Sequence, residues 1–305
     1  MVQSIILTGP TAVGKTSIAL DFAAKAGIEI INADSVCFYR DFDIGSAKPS
    51  KEERARAAHH LIDIASPDET YHAGRFLRDC SRILEEIHAR GKRAIIVGGS
   101  GFYLKALRFG LWDAPESSPA FRESLGKTPT PELFQRLSSL DPDHAGKIAA
   151  TDRYRIIRAL EILELSGRKP SELESSMPEN PDPRFQLWVL DREKEELDSR
   201  IRDRVKAMLD AGWLKETRRL RSLYPDSRVL RSVGYQQILD HLEGKAPPGR
   251  KPRAGIPGLA DEIELGHRQL AKQQRTWFKN MGFDREFKLD RDLESLKDLL
   301  MKFYQ

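Results

Sequence analysis

The chain has 305 residues, 50 Lys+Arg against 46 Asp+Glu for a formal net charge of +4, and 40% hydrophobic residues. That length suggests about two domains, and that apolar fraction suffices for a packed core. No run of roughly 18 uncharged apolar residues occurs and no basic leader precedes the first apolar run, so neither a membrane span nor a signal peptide is expected. Cys37 and Cys80 are the only cysteines, with no C-x-x-C and no His pair at ligand spacing. A disulfide framework and a structural zinc are thereby disfavoured, and a reducing, cytoplasmic setting is the default.

Ser4 to Ala26 reads as a buried strand, a glycine loop and an amphipathic helix in succession. At its centre Gly9, Pro10, Thr11, Ala12, Val13, Gly14, Lys15 and Thr16 form a complete G-x-x-x-x-G-K-[ST] phosphate loop. The two glycines let the backbone curl so that successive N–H groups face phosphate oxygens. Lys15 adds a point charge, the Thr16 hydroxyl is a ligand for Mg²⁺, and the helix dipole acts on the same anion.

Ile28 to Ala33 reads as a second strand, which places Asp34 at a C-terminal strand end, where open α/β sheets bind ligands. A polar and aromatic loop runs through Pro49, followed by a charged helix and His59 to Ile64. Gly74 to Arg90 is periodic and feeds a strand at Arg93 to Val97, so the units repeat as β-loop-α-β and imply a parallel sheet with helices on its faces. Gly98-Gly99-Ser100-Gly101 follows and opens a helix at Phe102 to Leu107. No Walker-B Asp ends that strand, leaving Asp34 and Asp63 as the nearby acids at strand ends.

Composition shifts at Trp112, and the chain then reads as helical, with segments at Pro131 to Leu140 and Asp152 to Leu165. Phe185 to Leu190 is again a buried strand rejoining the first sheet, so residues 113–183 form an insertion into a core made of 1–112 and 184–305. Leu197, Ile201, Val205, Met208 and Leu209 form a core-facing helix stripe. Lys245 to Ala260, rich in Pro, Gly and basic residues, reads as a loop or linker. Beyond it Ile263, Leu270 and Trp277 recur every seven residues on one helix face. Arg268, Lys272, Arg275 and Lys279 recur on another, in a stretch from Gly266 to Phe283 without Asp or Glu. That basic stripe is either a solvated face or a contact for a phosphate backbone.

Six ordered motifs, GPTAVGKT, ADSVCFYRDFDIGSAKP, HHLIDI, VGGSGFYLKAL, RSVGYQQ and HRQLAKQQRTWF, together resemble the tRNA dimethylallyltransferases over nearly the whole chain. The resemblance implies a phosphate-loop NTPase-like α/β fold with a mainly helical insertion that touches tRNA. It implies transfer of a dimethylallyl group from dimethylallyl diphosphate to N6 of the adenosine 3′ of the anticodon, in tRNAs that read codons beginning with U. In that chemistry the loop, Lys15 and Mg²⁺ on Thr16 stabilise charge on the departing diphosphate, and Asp34 is the natural general base. By resemblance Arg231 reaches the diphosphate, and Asp34, Ser35, Val36 and Cys37 receive the flipped base. The tRNA contacts it implies are Ser100, Arg122, Tyr154, Arg155, Ile156, Ile157, Arg158, Arg268, Gln269, Leu270, Ala271, Lys272 and Gln273, although Ile156 and Ile157 read by themselves as core. The sequence departs from the family at Cys37, commonly Gln, at Ser100, commonly Thr, and at His267, commonly Thr. No zinc-finger extension follows Gln305, as in the bacterial form, and a monomer in the cytoplasm is expected. A small-molecule kinase using ATP and a nucleotide-switched RNA-binding protein are the alternatives that the loop by itself leaves open.

Overall fold

The computed structural model describes residues 3–247, 249–251 and 253–304. The ends of the chain and two positions of the expected 245–260 loop thus lie outside the described residues. Six strands, β1 (Ser4–Thr8), β2 (Glu29–Asn32), β3 (His59–His60), β4 (Ala94–Val97), β5 (Phe185–Asp191) and β6 (Arg285–Lys288), form one sheet in the order β3-β2-β4-β1-β5-β6. Every pair is parallel, with Ile6 opposite Ile96 and Leu187 and Ile30 opposite Ile95. Strands covered on both faces need apolar side chains on both, which is why Ile5-Ile6-Leu7 and Ile95-Ile96 run without alternation and are fully buried.

The chain leaves β1 toward β2 on one side and reaches β5 on the other, so β1 is the topological switch point. Gly9, Ala33-Asp34, Gly98 and Arg192 follow β1, β2, β4 and β5 at the same C-terminal edge. Opposite them the last helix, Leu289–Tyr304, closes the sheet: the Tyr304 hydroxyl donates to the Ala94 carbonyl (2.8 Å) and accepts from the Ile5 amide (3.2 Å).

Two elements differ from the sequence expectation. A helix spans Gly255–Met281, so Lys245 to Ala260 is a loop only in its first part. β6 and the final helix carry no strong pattern in the sequence: Arg285-Glu286-Phe287-Lys288 is a short, charged edge strand, recruited by β5 through the Val189–Glu286 and Leu190–Phe287 register.

The chain divides into two compact units, 1–108 with 182–305, and 109–181. The second is helical, with helices Pro119–Ser124, Thr130–Leu140, Pro142–Ala145, Arg153–Ser166 and Pro170–Ser175, and its own core of Leu133, Leu137, Ile156, Ala159 and Leu160.

Candidate active site at the phosphate loop

The loop joins β1 to the helix Lys15–Ala26. Gly9 has φ +152°, and a Cβ there would lie 2.3 Å from the Leu190 carbonyl oxygen, so only glycine lets β1 turn against β5. Gly14 caps the helix without a side-chain hydrogen bond, leaving the first-turn amides to an anion. Two arginines brace the outside: Arg192 Nε donates to the Val13 carbonyl (2.9 Å) and Arg200 Nε to that of Ala12 (2.8 Å). From the opposite side Gln274 Nε2 donates to the Gly99 carbonyl (3.0 Å) while its Oε1 accepts from the Thr11 amide (2.8 Å). Gln274 thus ties the loop to the end of β4, and a Cβ at Gly99 would sit 2.5 Å from its Nε2.

Lys15 is 9% exposed, and burial lowers its ammonium pKa from 10.5 to about 8 against the opposing pull of the Asp34 carboxylate, with Arg204 lowering it further. Asp34 is half-buried; its Oδ1 accepts from the Val36 amide (3.2 Å), and the Asn32 side chain fixes its backbone on both sides. Next to it the Ser35 amide donates to Ser100 Oγ (2.9 Å), so the ends of β2 and β4 are joined by the hydroxyl of the glycine-rich turn. Thr16 is exposed at the mouth of the loop.

Sequence reasoning missed Arg204. It lies one turn beyond Arg200 on the helix Lys194–Asp210, where the core stripe masks it between Ile201 and Val205. Its Nε is buried without a hydrogen-bond partner, and burial lowers its guanidinium pKa against the pull of Asp34. His267 packs near it on the helix Gly255–Met281, with both ring nitrogens buried and unpartnered; burial and Arg204 hold its pKa down at about 3, so the ring is neutral. Two cations and one carboxylate therefore face one another above the loop.

Other expected residues fall elsewhere. Arg231 is exposed on the lip of a surface cavity of about 330 Å³ lined by Arg221, Ser227, Leu230 and Gln236 among others, none from the loop or the Asp34 segment. Cys37 is buried, its Sγ aimed at the Ser46 carbonyl (3.7 Å), and burial lifts its thiol to about 12. It shapes the wall from behind and does not line it. The apolar face of Gly255–Met281 is Ile263, His267, Ala271, Gln274 and Phe278, while Trp277 is exposed. A spacing of seven drifts around a helix of 3.6 residues per turn, which carries Trp277 off the buried stripe that Ile263 begins. Ala271 is accordingly core rather than contact surface, as is Ile156 in the second unit. In the basic stripe Arg275 is committed to Asp191 (2.7 Å) and the Arg192 carbonyl, and Arg268 to Glu264 (2.9 Å). Gln269, Lys272 and Gln273 are exposed, and Leu270 is half-buried.

Within the second unit Arg122 grips the buried Glu161 through two hydrogen bonds (2.8 and 2.9 Å), and Arg158 adds a third (2.6 Å). Burial pushes the Glu161 carboxyl up, but these bonds outweigh it and hold the pKa at about 2. Tyr154 stacks over Arg122 at 5.5 Å and is exposed, as is Arg155, which pairs with Asp152; Ile157 is half-buried. Two motifs that sequence treats separately meet in the first unit: the Glu216 carboxylate accepts from the amides of Asp43, Ile44 and Gly45 and from the Tyr235 hydroxyl (2.6 Å). The D-I-G and V-G-Y triplets are thus partners in packing, and a Cβ at Gly234 would overlap the Trp213 ring at 1.9 Å.

A phosphate loop at the switch point of a parallel sheet, faced by a carboxylate and buried cations, defines an α/β protein that holds an oligophosphate beside a proton acceptor. Residues 37–281 match the family model described as IPP transferase, and the chain belongs to that family. It is 40% identical over 292 residues to a tRNA dimethylallyltransferase of Chromobacterium violaceum, covering 92% of this chain and 86% of the relative. A tRNA dimethylallyltransferase of Citrifermentans bemidjiense is 39% identical over 91% of this chain and 89% of its own. Among solved structures, a eukaryotic dimethylallyltransferase acting on tRNA aligns with TM-score 0.83 and 27% identity, over 98% of this chain and 78% of that one. The tRNA isopentenylpyrophosphate transferase of Bacillus halodurans aligns with TM-score 0.69 and 29% identity, over 100% and 97%.

Proposed function

We propose that the protein is a tRNA dimethylallyltransferase that moves the dimethylallyl group of dimethylallyl diphosphate to N6 of the adenosine 3′ of the anticodon, in tRNAs that read codons beginning with U. The observation that carries this reading is the convergence of Lys15, Asp34 and Arg204 above the open amides of the loop. The N6 lone pair attacks C1 of the donor, the C1–O bond breaks, and its electron pair leaves with diphosphate. Loop amides, Lys15 and Arg204 stabilise the charge that grows on the leaving oxygens. The proton lost from N6 passes to the Asp34 carboxylate, which the Val36 amide orients.

Arg204, rather than Arg231, takes the role of the diphosphate arginine in this scheme. Mg²⁺ fits the donor set: the Thr16 hydroxyl is exposed at the loop mouth, and no cluster of three acidic, His or Cys ligands competes among the described residues. Bound through Thr16 and diphosphate oxygens, it would neutralise charge on the donor. The tRNA anticodon stem-loop approaches over Ser35 and Ser100, and the cytoplasm and a monomeric state complete the reading; no described helix is long and apolar enough to cross a membrane.

Incubating the protein with unmodified tRNA and dimethylallyl diphosphate tests the proposal by mass spectrometry of the RNA. Gain of one dimethylallyl unit on the adenosine beside the anticodon is expected. No gain, together with phosphate transfer from ATP to a small molecule, would overturn it in favour of a kinase.

A further inference from the structure

Trp277 is the only exposed tryptophan among the described residues, at 39%, whereas Trp188 and Trp213 are buried. Single exposed hydrophobic residues are ordinary, so its surroundings decide its meaning. It follows Gln274 by three residues on the helix Gly255–Met281, and so shares the side of the helix that clamps Thr11 and Gly99. Its ring lies against Gly101, where a Cβ would come within 3.1 Å of Cδ2. Gly101 follows Ser100, whose Oγ holds the Ser35 amide next to Asp34. The indole therefore stands on the ledge beside the place where the reacting base is to arrive. Phe102, the next residue of that ledge, is 54% exposed. Lys105, Lys272 and Lys279 on the same two helices are exposed and make no ion pair among the described residues.

An exposed indole and phenyl ring among uncommitted lysines fit an unstacked nucleobase flanked by phosphates. Extruding the target adenosine leaves its neighbour without a stacking partner on one face, and an exposed aromatic ring replaces that partner at small cost. We propose that Trp277, with Phe102 beside it, is the stacking platform for the nucleobase next to the extruded adenosine. This rests on the tRNA reading above. Trp277 and Phe102 bind RNA and take no part in the chemical step, and the lysines hold the adjoining backbone.

The test compares wild type with Trp277→Ala, Trp277→Phe and Phe102→Ala for binding of an anticodon stem-loop RNA. Trp277→Ala is expected to weaken RNA binding about five- to a hundredfold. Affinity for inorganic diphosphate stays unchanged, which also certifies the fold, and Trp277→Phe restores most of the loss. Phe102→Ala gives a smaller loss of the same kind. An RNA with an abasic nucleotide beside the target adenosine removes the difference between wild type and Trp277→Ala. Wild-type RNA affinity in Trp277→Ala, or the same loss with intact and abasic RNA, overturns the proposal. Should Trp277→Ala fail to fold, Trp277→Phe decides: the part of the RNA-induced fluorescence quench that it abolishes must be the larger part, and a fully retained quench overturns the platform. Absence of dimethylallyl transfer with RNA quenching intact would count against the proposed reaction alone.

Discussion

At the scale of single residues the site is a balance of buried charge. Lys15 gives up part of its affinity for a proton because burial outweighs the help of Asp34. Only its protonated form binds diphosphate well, so inorganic diphosphate binding, measured by calorimetry from pH 6.5 to 9.5, is expected to weaken above about pH 8. The slope should approach about tenfold per pH unit at most, and Lys15→Arg should move the inflection beyond the measured range. The two candidate arginines separate in the same way. Arg204→Ala should lower kcat/KM on the order of a hundredfold, since it removes a cation aimed at the developing charge. Arg231→Ala should leave the KM for the donor within about twofold, because an exposed charge off the loop adds little there. Steady-state kinetics on both variants check this, and a reversal would return the role to Arg231. The Arg231 assignment by resemblance failed for a physical reason: a motif marks a segment, and here Gly234 and Tyr235 of that segment serve packing against Trp213 and Glu216.

At the scale of elements, the loop is a part whose local form is written in its residues and whose fixation is not. Strand, Gly9, Gly14 and the following helix are consecutive in sequence, so pattern and turn chemistry place them without help. Gln274 is separated from Thr11 by 263 residues, yet its one amide satisfies a buried N–H in the loop and a buried carbonyl after β4. Gln274→Ala would leave both unpaired at a cost of about 1–3 kcal/mol each where no water enters. The expected outcome is a lower Tm and faster amide exchange at Thr11, with added diphosphate recovering part of both; unchanged exchange at Thr11 would deny Gln274 the strut role. The same helix explains the Trp277 misreading, because a spacing of seven is only an approximation to helical period.

At the scale of the whole molecule, the chain is two units with different centres. The first is built on the parallel sheet; the second packs Leu133, Leu137, Ile156 and Leu160 and places a carboxylate, Glu161, at its middle under Arg122 and Arg158. With its pKa at about 2 against 4.5 for a free carboxyl, Glu161 stabilises fully above the unfolded value and loses that contribution as pH falls through about 2. The difference corresponds to about 3 kcal/mol. Acid unfolding followed by hydrogen exchange should therefore open 109–181 over that range. Glu161→Gln should destabilise the unit at pH 7, by on the order of 3–5 kcal/mol where the arginines stay buried, and should flatten its acid dependence. Because both arginines are bound to Glu161, the unit's freer contact groups for RNA are Tyr154 and Arg155.

The sequence by itself determined the strand, loop and helix of the phosphate site, the parallel sheet, the existence of a helical insertion, the position of Asp34 at a strand tip and the family. Each of these depends on neighbours within a few tens of residues, or on apolar runs whose only stable solution is burial on both faces. The tertiary structure alone decided which cations face the loop, that Cys37 and Ile156 are walls, that Arg122 and Arg158 serve Glu161, and that Trp277 stands free beside Ser100. Those choices arise where side chains distant in sequence converge, and helix packing sets that convergence to within an ångström while leaving no local pattern to read.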